Sequence, residues 1–237
     1  MICGGYWAGQ SQASFFLPSL KRLADQGLPA SGSAALLALR PYPALLLLYG
    51  AGIAGQARGN YSLFGEMFKL RVRMSWDRDE VPITKAVNSV SLMNPEVQRK
   101  LPGYENQITP LSDHLFSSLR DPLREYLPDD VLYDETFDWF EYLLALIHCD
   151  LTTSSENLAA LRAKENWKIW GPRGRFAWKG TYSDTVNVQQ KAELRKGELF
   201  PVHVASLRKL GFFGSDDRYV DLKRGFDATV ANMAERW

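Results

Sequence analysis

The chain has 237 residues, of which 46% are hydrophobic and 23% are charged, and its formal net charge is +1. These proportions exclude an intrinsically disordered chain, which would carry fewer apolar residues and a larger net charge. The near-zero charge gives no overall attraction to nucleic acid or anionic lipid, so such a role would need a local patch. The length predicts either a single helical domain over 1–237 or a subdivision into 1–101 and 102–237.

Cysteine content and the start of the chain predict where the protein resides. Cys3 and Cys149 are too few for a secreted disulfide scaffold, and we expect both to be reduced thiols. The first basic residue is Lys21, so the start lacks the charged region of a signal peptide. The apolar run Ala44–Gly55 is shorter than the ~20 residues that cross a bilayer. These features predict a cytoplasmic protein without membrane contact.

In the first part of the chain the hydrophobic spacing is mostly helical. The predicted helices cover residues 15–23, Ser33–Leu39, Pro43–Ala57 and Tyr61–Leu70, with helical patches at Thr84–Met93 and Pro95–Leu101. Arg58, Gly59 and Asn60 are a helix stop followed by turn residues, so the flanking helices are expected to form an αα-hairpin. Alternation over Arg71–Trp76 predicts a short strand.

The second part of the chain carries clearer helix signals. Thr109 is the expected N-cap of a helix with Pro110 in its first position and a kink at Pro122. Further helices are predicted after Asp129, which precedes an apolar stripe from Phe137 to Leu151, after Ser155, and from Ser215 to Trp237. The fold class is therefore mainly α, a multi-helix bundle of αα-hairpins. A small irregular or β-hairpin insertion is expected around 171–190.

The segment Gly50–Gly55 matches the G-x-G-x-x-G pattern of dinucleotide-binding proteins. That fingerprint requires a strand, a tight glycine turn and a helix, with an acidic residue about 20 positions further on, and Asp77 could supply it. The preceding run is rich in leucine rather than in β-branched residues, and Arg58–Asn60 would interrupt the following helix. We therefore favour helix packing through small residues, with a dinucleotide-binding enzyme as an alternative.

An acidic cluster occupies the start of the predicted long helix. Asp134, Asp138 and Glu141 share one helical face, and His148 follows seven residues later. Such a stripe could bind a divalent metal ion, but a helical charge run is usually a solvated face, and we favour that interpretation. His148 is expected to be a hydrogen-bonded core residue. No metal ligand, cofactor or catalytic residue is predicted, and the motifs of serine hydrolases, zinc proteases and P-loop proteins are absent from the sequence.

A basic–aromatic strip between positions 162 and 179 contains the residue types that bind single-stranded nucleic acid: cationic side chains that contact phosphates and aromatic rings that stack on bases. The interpretation that we favour is structural: either an aromatic core strip with arginines at its rim, or docking of the strip onto the acidic helix. The candidate nucleic-acid-binding residues of this strip are Arg162, Lys164, Lys168, Trp170, Arg173, Arg175, Trp178 and Lys179.

Four stretches carry a resemblance to a known group of proteins: Tyr42–Phe68, Phe137–Leu151, Gly171–Gly180 and Phe212–Trp237. Together they resemble the C-terminal helical region of bacterial multi-domain proteins whose N-terminal effector is Sir2-like, Schlafen-like or a P-loop module, many of them implicated in anti-phage defence. The resemblance implies a helical module that docks onto an upstream effector, and it supplies no catalytic residue.

These observations lead to one favoured hypothesis and two alternatives. The favoured hypothesis is a non-enzymatic helical interaction or sensor module that docks a protein partner or upstream effector module. Its partner surface is expected to be either the hairpin Pro43–Leu70 or the basic–aromatic strip. The alternatives are a nucleic-acid-binding domain that uses residues 162–179 and a dinucleotide-binding enzyme centred on Gly50–Gly55.

Overall fold

A computed structural model describes residues 2–7, 10–25, 31–32, 34–74, 79–90, 92–93, 95–164, 167–178 and 201–234. Within these residues the fold is mainly helical with a small two-stranded sheet, which confirms the predicted class. The helices are α1 (Ile2–Trp7), α2 (Gln10–Ala24), α3 (Ala34–Ala38), α4 (Tyr42–Arg58), α5 (Tyr61–Lys69), α6 (Ile83–Ala86), α7 (Pro95–Gln98), α8 (Pro110–Leu123), α9 (Asp130–Thr152), α10 (Ser155–Arg162), α11 (Pro201–Lys209) and α12 (Asp216–Ala234). The strands are β1 (Arg71–Arg73) and β2 (Glu80–Pro82).

Helices α4 and α9 form the centre of the molecule. Helix α4 contacts α1, α2, α5, α8 and α9, and α9 also contacts α6 and α12. Both helices are apolar around most of their circumference, as expected for elements buried on several sides. Leu45, Leu48 and Ile53 of α4 and Phe137 and Phe140 of α9 are fully buried in one continuous core.

The glycine motif lies inside α4 and serves helix packing, as we favoured from the sequence. Helix α1 crosses α4 so closely that a Cβ atom on Gly5 would lie 2.2 Å from the carbonyl oxygen of Ala51. A Cβ on Gly55 would lie 3.1 Å from the carbonyl oxygen of Gly5. The strand–turn–helix geometry that a dinucleotide fingerprint requires is not present at this segment.

The small sheet contacts α2, α6 and α9. Strand β1 lies within the predicted strand Arg71–Trp76, and it pairs antiparallel with β2, which the sequence analysis missed. Val72 and Val81 face each other in this register and both are buried. Residues 171–178 are irregular, with a 3₁₀ turn at Arg175–Ala177, and residues 179–190 lie outside the described part of the chain.

Several predicted boundaries were wrong. The helical patch Thr84–Met93 is reduced to the single turn α6. The helix predicted to kink at Pro122 instead ends at Leu123, one residue later. The cap of α10 is Ser154 rather than Ser155, since the Ser154 hydroxyl accepts a hydrogen bond from the backbone N–H of Asn157 at 3.1 Å.

The Ser154 cap gives a testable prediction. We expect Ser154→Ala to lower the free energy of unfolding by about 1 kcal/mol, because the hydroxyl satisfies an N–H group at the start of the helix. Ser155→Ala is the matched control, since it removes the same group one residue later, and should cost clearly less. Urea unfolding followed by circular dichroism measures both. Equal losses in the two variants would contradict the assignment of the cap.

The predicted C-terminal helix is present and is fastened to α9. The Ser215 hydroxyl accepts a hydrogen bond from the backbone N–H of Arg218 at 3.1 Å, as expected for its N-cap role. The Arg218 guanidinium binds the Asp150 carboxylate and the carbonyl oxygens of Asp150 and Thr153. Trp237, the last residue of the predicted helix, lies outside the described residues.

The hairpin Pro43–Leu70, one of two predicted partner surfaces, mostly faces inward. Most residues of α4 and α5 are buried against neighbouring helices, so the hairpin offers little exposed surface, and its role as a partner surface stays a prediction. By length and composition alone, Leu36–Arg58 is apolar enough to cross a membrane, with a mean hydropathy of 1.4, and half of that window is buried inside the molecule. A core helix meets the same criterion, so the predictions about membrane contact and localisation stay predictions.

Candidate functional site

The basic–aromatic strip is divided between the interior and the surface. Trp178 is buried, whereas Trp170 keeps 64% of its side chain exposed. Arg162 pairs with Asp221 of α12. Lys164 is exposed, Lys168 is half-buried, and Lys179 lies outside the described residues.

Arg175 connects the strip to the acidic helix α9. Its Nη1 donates to the carboxylates of Asp134 at 2.7 Å and Asp138 at 3.0 Å, and its Nε lies 3.7 Å from Asp113 of α8. Burial lowers the pKa of Arg175, but the neighbouring carboxylates outweigh this, so its pKa lies above the usual value. Arg175 thus holds the 171–178 segment on α8 and α9. This matches the interpretation in which the strip docks onto the acidic helix.

The interpretation of the acidic stripe as a solvated face was wrong. Asp138 and Glu141 are 6% and 2% exposed, respectively, and they face the neighbouring elements of the molecule. His148 does not join them, since its Nδ1 lies 3.2 Å from the carbonyl oxygen of Thr84 as an inward-facing hydrogen-bonded residue. Among the described residues, no group of three or more histidine, cysteine, aspartate or glutamate side chains is arranged to hold a metal ion.

Glu141 is surrounded by hydroxyl groups from three separate segments. Its Oε1 accepts hydrogen bonds from Tyr49 of α4 at 3.0 Å and from Ser89 at 3.1 Å. The hydroxyl of Ser112 on α8 lies 2.8 Å and 2.9 Å from the two carboxylate oxygens and accepts from the backbone N–H of Arg175. Burial raises the pKa of Glu141 to about 7, although the hydroxyl donors lower it.

A glycine allows this approach of backbone to carboxylate. A Cβ atom at Gly174 would lie 1.8 Å from Glu141 Oε2, so any larger residue would displace either the carboxylate or the segment. The sequence analysis did not single out Gly174 or the three hydroxyl residues. They are isolated in sequence, and they share no spacing that could have revealed them.

A surface cleft of about 190 Å³ lies beside this buried cluster. Residues of the 89–99 segment, the start of α8 and the 171–178 segment line it. Gln98 fixes one wall, because its side-chain amide donates to the carbonyl oxygens of Val90 and Met93 at 3.0 Å each. The lining residues that bear on ligand chemistry are Ser89, Arg99, Thr109, Arg173 and Trp178.

The cleft is cationic. Arg99 and Arg173 both line it, and no carboxylate is among the described residues that do so. The Arg173 guanidinium lies 4.7 Å from the centre of the Trp170 ring, and partial burial lowers the pKa of Arg173. Thr109 and Pro110 place the N-terminal end of α8 at the cleft, where the helix dipole favours negative charge. Of the residues that line the cleft, the sequence analysis had named Arg173 and Trp178 as candidate binding residues, but not Arg99.

The comparisons with known proteins leave the family open. No protein-family description, no curated protein and no solved structure matches the chain. The resemblance to bacterial defence proteins therefore stays a prediction.

Proposed function

We propose that this chain is a non-enzymatic sensor module whose cleft binds an oxyanion, such as the phosphate group of a small ligand. The observation that carries the proposal is the placement of Arg99 and Arg173 in one cleft without a lining carboxylate among the described residues. Guanidinium groups match the geometry of phosphate oxygens and form strong, charge-assisted hydrogen bonds with them.

The surroundings of the cleft support this ligand class. The start of α8 adds the positive end of a 14-residue helix, which is a common feature of phosphate sites. Thr109 and Ser89 also line the cleft, and their hydroxyl groups donate to the carboxylates of Asp113 at 3.0 Å and Glu141 at 3.1 Å. The nearby carboxylates of Asp134 and Asp138 are engaged by Arg175, which reduces their repulsion of an incoming anion.

Two further observations fit a sensor rather than an enzyme. The buried carboxylate of Glu141 accepts hydrogen bonds from protein hydroxyl groups, which suits a role in holding the site. The cleft is also formed by segments that are far apart in the chain, so a ligand would join them. A sensor needs a recipient for its signal, and the resemblance to defence proteins suggests an upstream effector module as that partner.

The second candidate function is nucleic-acid binding through the strip at 162–179. The observation that favours it is the exposed Trp170 ring beside Arg173, since an exposed ring next to a cation can stack on a base while the cation contacts a phosphate. The interior position of Arg175 and Trp178 confines such a contact to the part of the strip around Trp170.

Isothermal titration calorimetry of the full chain with sulfate, phosphate and pyrophosphate tests the proposal. We expect binding that Arg99→Ala and Arg173→Ala each weaken about tenfold or more, the usual effect of losing a charge-assisted hydrogen bond. Arg124→Ala is the control, because Arg124 is exposed, pairs with Asp121 outside the cleft and should leave the affinity unchanged.

One further variant, Trp170→Ala, separates the two candidate functions. The nucleic-acid interface would be favoured if the chain bound single-stranded oligothymidylate more tightly than pyrophosphate, and if Trp170→Ala weakened that binding. No binding of any oxyanion, or equal affinity in wild type and both cleft variants, would contradict the sensor proposal.

A further inference from the structure

Ser89 belongs both to the cleft and to the hydroxyl cluster around Glu141. It lines the cleft, and its hydroxyl donates to Glu141 Oε1 at 3.1 Å. The turn that carries Ser89 is fixed, since the Asn88 side chain donates to the carbonyl oxygen of Thr84 and accepts from the backbone N–H of Val90. Glu141 is therefore one hydroxyl group away from a bound ligand.

The hydrogen bonds around Glu141 depend on its protonation state. Tyr49, Ser89 and Ser112 each offer one hydroxyl hydrogen, and an ionised carboxylate can accept all three. A protonated Glu141 donates a hydrogen of its own and needs fewer donors. Of these three donors to Glu141, only Ser89 also lines the cleft, and it is 4% exposed, against 1% for Tyr49 and Ser112.

The groups that face Glu141 place this change near neutral pH. Burial raises its pKa to about 7, and the negative charge of Asp138 on the same helix acts in the same direction. Tyr49 on α4 stays neutral, because burial holds its pKa well above the usual value. The 171–178 segment adds Arg173 and Arg175, and α8 adds Asp113, whose Oδ1 lies 3.7 Å from Arg175 Nε.

We propose that Glu141 is a proton-coupling residue: when an oxyanion occupies the cleft, the Ser89 hydroxyl donates to it and Glu141 takes up one proton from solvent. This inference rests on the proposed function, since it concerns the regulation of the same site. The ionised carboxylate competes with the ligand for the Ser89 hydrogen and repels its charge. The module therefore binds an oxyanion more tightly below neutral pH than above it.

Titration of the full chain with sulfate over a series of pH values tests the coupling. Sulfate is the probe because its charge is constant near neutral pH, unlike that of phosphate. We expect the wild-type affinity to fall by up to about tenfold per pH unit above pH 7, the limit for linkage to one proton. Calorimetry in buffers of different ionisation enthalpy should show proton uptake with sulfate that rises towards one proton as the pH is raised above 7.

Three variants isolate the groups involved. Glu141→Gln should bind sulfate with an affinity that does not change with pH, and Ser89→Ala should bind with a much smaller pH dependence. His148→Gln is the control for another inward-facing titratable group, whose pKa burial lowers, and it should keep the wild-type pH dependence. Ser89→Ala also keeps the test decisive if Glu141→Gln does not fold.

The outcomes distinguish this inference from the proposed function. Sulfate binding whose pH dependence persists in Glu141→Gln and Ser89→Ala would overturn the coupling and leave the oxyanion site in place. Absence of binding by sulfate and phosphate at every pH would overturn the oxyanion site, and with it the coupling.

Discussion

Replacement of Arg175 with methionine is expected to lower the free energy of unfolding by about 3–5 kcal/mol at neutral pH, as for other broken buried ion pairs. The Arg175 side chain is 16% exposed and binds Asp134 and Asp138 at 2.7 Å and 3.0 Å. Its guanidinium also lies 3.7 Å from the centre of the Phe116 ring. Methionine keeps much of the packing but leaves the two carboxylates without their cation. Denaturant unfolding followed by circular dichroism measures the loss.

The destabilisation should depend on pH in a defined direction. A buried aspartate without its partner takes up a proton more readily, so the loss in Arg175→Met should shrink as the pH is lowered. Adding Asp138→Asn to Arg175→Met should restore part of the stability, because it removes one of the uncompensated charges. If the double variant were no more stable than Arg175→Met alone, this account would be contradicted.

Arg124→Met is the matched control for Arg175→Met. Arg124 pairs with Asp121 at 3.0 Å, but both side chains are well over half exposed, at 64% and 86%. Exposed pairs contribute about 0–1 kcal/mol, so this variant should unfold close to wild type. Equal losses in the two variants would show that Arg175 does not act through its buried carboxylates.

The acidic stripe shows where sequence reasoning about the site reached its limit. The spacing of Asp134, Asp138 and Glu141 correctly placed them on one helical face. Whether that face is buried depends on Arg175, which lies 37 residues after Asp138. Since carboxylates are rarely buried without a partner, and since no local pattern reveals a distant one, the sequence favoured solvent.

The cleft was hidden for a related reason. The strip had signalled Arg173 through its mixture of basic and aromatic residues, but Arg99 and Ser89 are single polar residues in short, irregular segments. They meet Arg173 only because the 171–178 segment folds back over the start of α8. A site assembled from separate segments leaves no periodic trace in any one of them.

The fold itself was predicted best where a helix is long and its apolar pattern is strong. Helices α4 and α9 were both found, since their length makes the signal robust. Strand β2 was missed because its three residues, Glu80–Pro82, carry little signal of their own. Strand propensity depends on the packing partner, and here that partner is β1.

The crossing of α4 and α9 leads to the second large prediction, which concerns Gly52. A Cβ atom at this position would lie 2.1 Å from Cε2 of the Phe140 ring. The ring cannot easily move away, because it is fully buried and packs against Tyr49 and Phe64 with ring centres 4.9 Å and 5.9 Å apart. We expect Gly52→Ala to lower the free energy of unfolding by about 2–3 kcal/mol, the cost typical of overpacking a core.

The expected loss of stability in Gly52→Ala is informative, because alanine normally stabilises a helix interior by roughly 0.5–1 kcal/mol relative to glycine. Phe140→Leu should relieve the clash, so the double variant should lose less stability than the sum of the single variants, as coupled neighbours do. Sulfate affinity should stay at the wild-type value in Gly52→Ala while the protein remains folded. If Gly52 instead made room for a pyrophosphate, Gly52→Ala would lose anion binding and keep its stability. Urea unfolding and sulfate titration of this one variant therefore distinguish helix packing from a nucleotide site.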